Sequence, residues 1–157
     1  MQILVAYDSK TGNTEKMALA VADGAKEAGV DVIIKKVNET TNEDLLKADG
    51  IIIGSPTYYG QMSSEVKALF DRSVKIHGKL EGKVGAAFTS SGGTACGAET
   101  TILSILEAML VHGMIIQGHA NIQHYGSAAV GEPKKQDEEK CKQSGKRVAD
   151  LVLKLKR

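Results

Sequence analysis

Two patterns of apolar residues alternate along this chain. Runs of four to eight residues are followed by longer segments in which apolar positions recur at helical spacing, the signature of βα units feeding a parallel sheet. Ile3 to Tyr7 reads as the first buried strand. Asn13 to Ala28 follows as a helix, with Met17, Ala20, Val21 and Ala25 on one face and Gly29 placed to end it. Val32 to Val37 is the second strand, and Asn42 to Lys47 a short polar helix. Gly50-Ile51-Ile52-Ile53 has no polar alternation, as expected of a strand covered on both faces at the centre of a sheet. Met62, Val66, Leu69, Phe70 and Val74 mark the next helix, and Lys83 to Phe88 the fourth strand. Ile102, Ile105, Leu106, Met109 and Leu110 share a helical face, and Met114 to Ile116 forms the fifth strand. A Gly-rich excursion runs from His119 to Pro133, and a last helix carries Val148, Leu151, Val152 and Leu155 on one side. The charged stretch 134–147 predicts a solvated helix face rather than a docking tail.

Five strands separated by helices predict an α/β fold, a doubly wound five-stranded parallel sheet of order 2-1-3-4-5 with helices on both faces. A closed eight-unit barrel needs more chain. With 157 residues, 42% of them hydrophobic, residues 1–157 are expected to form a single domain. Lysine and arginine (20) nearly cancel aspartate and glutamate (19), which argues against nucleic acid or an anionic membrane as partner. No apolar run approaches the roughly 20 residues of a membrane span, and the N-terminus carries no basic leader, so the expectation is a soluble cytoplasmic protein. Cys96 and Cys141 lie outside any ligand spacing, so neither a disulfide framework nor a metal site is indicated.

In open α/β sheets ligands bind beyond the carboxyl ends of the strands, where the strand order reverses. The loops leaving strands one, three and four all concentrate hydroxyls and glycines. Ser9-Lys10-Thr11-Gly12-Asn13-Thr14 opens a helix whose positive end favours an anion, and a phosphate fits there. Helix capping accounts for one such hydroxyl but poorly for three. The spacing is neither GxxxxGK[ST] nor GxGxxG. Gly54-Ser55-Pro56-Thr57-Tyr58-Tyr59-Gly60 displays two aromatics on which a flat ligand could stack, although tyrosines also pack under loops. Thr89-Ser90-Ser91-Gly92-Gly93-Thr94-Ala95-Cys96-Gly97 can bring backbone groups close to a ligand edge, or be only a flexible surface loop.

These phrases together resemble the FMN-binding loops of the flavodoxin superfamily. From Gly54 to Met114 the chain is most similar to the WrbA-type NAD(P)H:quinone oxidoreductases, through Ser55-Pro56-Thr57-x-x-Gly60-x-Met62, Gly82-Lys83-Val84-Gly85, Phe88-Thr89-Ser90, Glu99-Thr100-Thr101 and Val111-His112-Gly113-Met114. The resemblance implies a flavodoxin-like fold with FMN as cofactor. Ser9, Lys10, Thr11, Gly12, Asn13 and Thr14 would hold its phosphate; Pro56, Thr57, Tyr58, Tyr59 and Gly60 would line the isoalloxazine; and Ser90, Ser91, Gly92, Gly93 and Thr94 would meet the pyrimidine edge. His112 matches a family histidine beside the flavin and would be the catalytic residue; the helix dipole alone also favours a histidine there. The chain departs from the family at Tyr58, where arginine is common, at Tyr59, where phenylalanine is, and at Ala98, where glutamine is. It also lacks the long insertion before the third strand.

Three functions are open from this reading. In the first, FMN takes electrons from NAD(P)H as transient donor and passes them to a quinone or similar small acceptor, with His112 as hydrogen-bond donor and His124 or Tyr125 roofing the ring. In the second the chain is a one-electron carrier docking to a redox protein, against which stand its near-neutral charge and lack of tryptophan. A non-redox, signalling role has the least support, because Asp8 alone does not make a phosphoacceptor cluster. A homodimer or higher homo-oligomer is compatible with each.

Overall fold

The structure is a computed structural model that describes residues 1–156. Its elements run β1 (Gln2–Tyr7), α1 (Asn13–Glu27), β2 (Asp31–Lys36), α2 (Asn42–Lys47), β3 (Gly50–Pro56), α3 (Ser64–Arg72), a 3-10 turn (Ser73–Ile76), β4 (Val84–Ser91), α4 (Ala98–Val111), β5 (Ile115–Ile116), β6 (Ser127–Val130) and α5 (Lys135–Leu155). All strand pairs are parallel, in the order β2-β1-β3-β4-β5, with β6 also on β4. No helix among the described residues is long and apolar enough to cross a membrane.

Alternation along the buried strands divides the core in two. Ile3 and Val5 of β1, Ile52 of β3 and Phe88 of β4 face one side, packing with Met17 and Val21 of α1 and Val148 and Val152 of α5. Leu4, Ala6, Ile51 and Ile53 face the other side, against Leu45 of α2, Leu69 of α3 and Ile105 and Met109 of α4. Each of the larger side chains contributes on the order of 1.5–3 kcal/mol by leaving water, which commits β3, buried along its whole length, to the interior.

Several expectations need correction. The fifth strand position is filled by two segments: β5 pairs with β4 only at Val84 and Gly85, and β6, inside the excursion, pairs with Phe88 to Ser91. Ser127-Ala128-Ala129-Val130 is too short and small-chained to announce a strand; it exists because β4 offers an open edge. Val74 does not extend α3, since the Ser73 hydroxyl donates to the Phe70 carbonyl (2.7 Å) where the chain tightens into the 3-10 turn, leaving Val74 69% exposed. Nor is 134–147 simply a solvated face, because Cys141 and Gly145 are buried against α1. A Cβ on Gly145 would lie 1.9 Å from the Val21 carbonyl oxygen, and one on Gly24 1.9 Å from that of Lys142. The two helices touch backbone to backbone, which only glycine permits. Leu110 and Leu155, expected inside, are more than half exposed, Leu110 because it sits at the edge of the Ile102–Leu106–Met109 stripe.

Candidate cofactor site

Parallel strands deliver the loops after β1, β3 and β4 to one end of the sheet, on either side of the β1/β3 switch point. Hydrogen bonds then join all three. The Asp8 N–H donates to the Gly54 carbonyl (3.0 Å), and the Thr57 N–H to that of Ser90 (2.8 Å). The buried Thr14 and Ser90 hydroxyls lie 2.8 Å apart. Thr89 donates to the Ser55 carbonyl (2.6 Å), so in its 2.9 Å contact with Thr57 the Thr57 hydroxyl is the donor. The cluster is a connected polar floor rather than three independent flexible loops.

At its first corner Gly12, in the left-handed conformation (φ 94°), precedes α1 with no side-chain cap. The first-turn N–H groups therefore have no side-chain acceptor and face the same end as Thr11 and Asn13. Ser9 shapes the loop by accepting from the Gly12 N–H (3.1 Å). Lys10 is committed elsewhere: its ammonium lies 2.8 Å from Glu65 and 3.5 Å from Asp8. Lys10 holds the Glu65 carboxyl down at about 2, and Glu65 in turn raises the lysine. The second oxygen of Asp8 is buried without a partner. The acid in the first turn, Glu15, accepts from the Tyr7 hydroxyl (2.9 Å); burial first, then this bond, pushes Tyr7 up to about 12. This corner therefore offers N–H and O–H groups, with the lysine paired to Glu65 and Asp8.

The second corner is a two-residue hairpin. Tyr58 and Gln61 exchange backbone hydrogen bonds (3.1 and 3.0 Å), and Tyr59 (φ 51°) and Gly60 (φ 72°) between them both have positive φ, a type I′ turn. The turn leaves the Tyr59 ring fully exposed and Tyr58 43% exposed. At the third corner Gly92 has no atom within 4 Å of where a Cβ would stand, while Gly97 (φ 95°) presses on the second loop, its missing Cβ only 2.5 Å from the Gly60 Cα. Pro56, Ser91, Gly93 and Thr94 complete this rim, with the Ser91 hydroxyl donating to the Gly93 carbonyl (3.0 Å).

His112 does not join these residues. It caps α4 at the start of β5, beside the first residues of β4, and β4 is eight residues long. Roughly 25 Å of sheet therefore separates it from Ser91 in the same chain. It is 6% exposed, and its Nε2 donates to Ser73 Oγ (2.7 Å), because the Ser73 proton is used on Phe70. Nδ1 is buried without a partner, and burial, with His77 adding to it, lowers the pKa. The helix-end reading describes this residue, since parallel α/β topology returns the end of a helix to the far edge of the sheet. His124 and Tyr125 likewise lie low on the β4 edge, beside Val84 to Ala86. Glu65 and Gln61 carry no local signal in the sequence; Lys10 and Glu65 are 55 positions apart, and no local pattern joins them.

The order β2-β1-β3-β4-β5, with a phosphate-type corner, an aromatic turn and a glycine rim at its carboxyl edge, defines a flavodoxin-like protein with the FMN-binding fold. Residues 34–126 match the family model described as NADPH-dependent FMN reductase, and the chain belongs to that family. It is 41% identical to a protein named flavodoxin from Aquifex aeolicus, over 96% of this chain and 86% of that one. It is 39% identical to a protein named NAD(P)H dehydrogenase (quinone) from Archaeoglobus fulgidus, over 98% of both. Among solved structures, a WrbA-like flavodoxin from Agrobacterium tumefaciens superposes with a TM-score of 0.84 at 27% identity, covering 98% of each chain.

Proposed function

We propose that residues 1–157 form one FMN-binding domain that moves electrons from NAD(P)H to a quinone or a similar small acceptor in the cytoplasm. The observation that carries the reading is Tyr59, an aromatic ring held wholly in solvent by a turn in which it adopts a positive φ. A non-glycine residue in that conformation costs on the order of 1 kcal/mol, and an apolar ring in water gains nothing back unless something flat covers it. The other corners fit the same ligand. The uncapped α1 N-terminus, with Ser9, Thr11, Asn13 and Thr14, would hold the phosphate, and the Ser90–Thr94 rim would meet the polar edge of the ring.

When bound, FMN supplies the electron-accepting and electron-donating chemistry. This chain's part is to place it. Thr14, through Ser90, keeps the phosphate corner at a fixed distance from the ring corner, and Thr57, through Thr89, fixes the base of the aromatic turn. Asp8 and Glu65 retain Lys10 at the rim. No role is assigned to His112. The open face beside Tyr59 leaves room for a nicotinamide and an acceptor in turn. A carrier reading has its own support in the Aquifex aeolicus relative named flavodoxin, most of whose length this chain matches.

Anaerobic mixing of FMN-loaded protein with NADH or NADPH separates the two. Rapid bleaching of the flavin absorbance, reversed by benzoquinone, is expected. Absence of bleaching by either nucleotide, with dithionite reducing the flavin in two resolved one-electron steps, would overturn the reductase and leave the carrier.

A further inference from the structure

The split fifth strand leaves a cleft that the cofactor site does not use. Pairing along the outer edge of β4 stops at Gly85 and resumes at Phe88, and the excursion between β5 and β6 arches over the gap. The cleft has an inner volume of about 50 Å³, closer to a single oxyanion than to a nucleotide. Its floor is Val84, Gly85 and Ala86, one wall is the excursion, and the other is the face of α5 carrying Lys140, Gln143, Ser144 and Arg147.

The charge of this lining is one-sided. Lys140 and Arg147 supply it and no aspartate or glutamate lines the cleft, in a chain whose charges otherwise nearly cancel. Lys140 and Arg147 are half-buried, and neither forms an ion pair among the described residues. Arg147 uses one N–H on the Gly118 carbonyl (2.9 Å), which ties α5 to the excursion and leaves most of its five donors free. His119 Nδ1 accepts the N–H groups of Asn121 and Ile122 (3.2 and 3.3 Å), so the neutral ring carries its proton on Nε2. His124 Nδ1 faces the His119 carbonyl at 2.7 Å and must donate to it. Gln143 and Ser144 stand between the two cations on the same helix face with neutral hydrogen-bonding groups.

We propose that this cleft is a second ligand site, independent of the flavin, that takes a phosphate-sized oxyanion with Lys140 and Arg147 as its anchors. Two half-buried, unpaired cations with an amide and a hydroxyl between them supply the charge-assisted donors such an ion needs, and the absence of acidic liners removes the repulsion that would exclude it. The same chemistry serves free phosphate and a phosphate monoester, provided the ester's remainder projects through the open side.

The test uses FMN-loaded protein, so that the phosphate corner at α1 is filled, and titrates it with inorganic phosphate and, separately, with AMP, following backbone amide shifts. Saturable shifts at Gln143, Ser144 and Gly126 in the low millimolar range or tighter are expected, with residues 9–14 unmoved. Arg147→Gln and Lys140→Gln should each weaken binding by about tenfold or more. Saturation by phosphate alone identifies a free anion, and saturation by AMP as well identifies an ester. No saturable shift with either ligand, or binding unchanged in both variants, overturns the proposal. Should the chain fail to retain FMN, shifts confined to residues 9–14 would report that failure separately from the cleft.

Discussion

Replacing Gly97 by alanine tests whether the aromatic turn is set by contact with the third loop. Gly97 has φ +95°, where an L side chain costs about 1–2 kcal/mol. The new Cβ would also stand 2.5 Å from the Gly60 Cα and 3.2 Å from its nitrogen, a clash with backbone that no rotamer can relieve. Overpacking of that kind adds about 1–3 kcal/mol, so Gly97→Ala should lose about 2–5 kcal/mol in all. Gly29→Ala is the control, because Gly29 has a similar φ of +84° and nothing within 4 Å, so it should lose only the conformational part. Relief of the clash moves Gly60, and with it Tyr59. FMN affinity should therefore fall by about tenfold or more in Gly97→Ala, 1.4 kcal/mol per decade, and stay unchanged in Gly29→Ala. Urea unfolding of the apoprotein gives the stabilities, and quenching of flavin fluorescence the affinities. If Gly97→Ala proves as mild as Gly29→Ala in both assays, the two loops are not coupled through this contact.

Tyr59→Ala should leave the melting temperature of the apoprotein within error, since the ring touches solvent, and weaken FMN by about tenfold in the same fluorescence titration. Gly145→Ala should cost about 3 kcal/mol or more in urea unfolding, because its Cβ meets the Val21 carbonyl on a neighbouring helix. In native protein a thiol reagent should label Cys96, which is exposed, and spare Cys141, which burial pushes up to about 12; both should react in denaturant. The Glu65 carboxyl, held by Lys10 at about 2 against an ordinary 4.5, should titrate with that low midpoint by carbon NMR. Because its folded pKa is depressed, its stabilising share is complete above pH 4.5 and fades as pH falls toward 2, so the difference between wild type and Glu65→Gln in melting temperature should shrink over that window.

The alternation of short apolar runs with helical faces was enough to determine the sheet order and to single out the loops of the candidate site, because both follow from local rules. A fully apolar run such as Ile51-Ile52-Ile53 must be covered on two sides, and right-handed crossovers leave few arrangements of five such strands. The corner residues Ser9 to Thr14, Tyr58 and Tyr59, and the glycines at 92 and 93 were legible because each loop's composition is unusual without reference to any other part of the chain. What depends on contacts between distant positions was not. The backbone approach of Gly145 to Val21, the engagement of Lys10 by Glu65, and the pressure of Gly97 on Gly60 leave no periodic trace, since each partner sees only its own neighbours in sequence. His112 makes the same point in reverse. Its motif resembles an active-site phrase, but topology alone decides which end of the sheet a helix terminus reaches, and here that end is the one away from the loops.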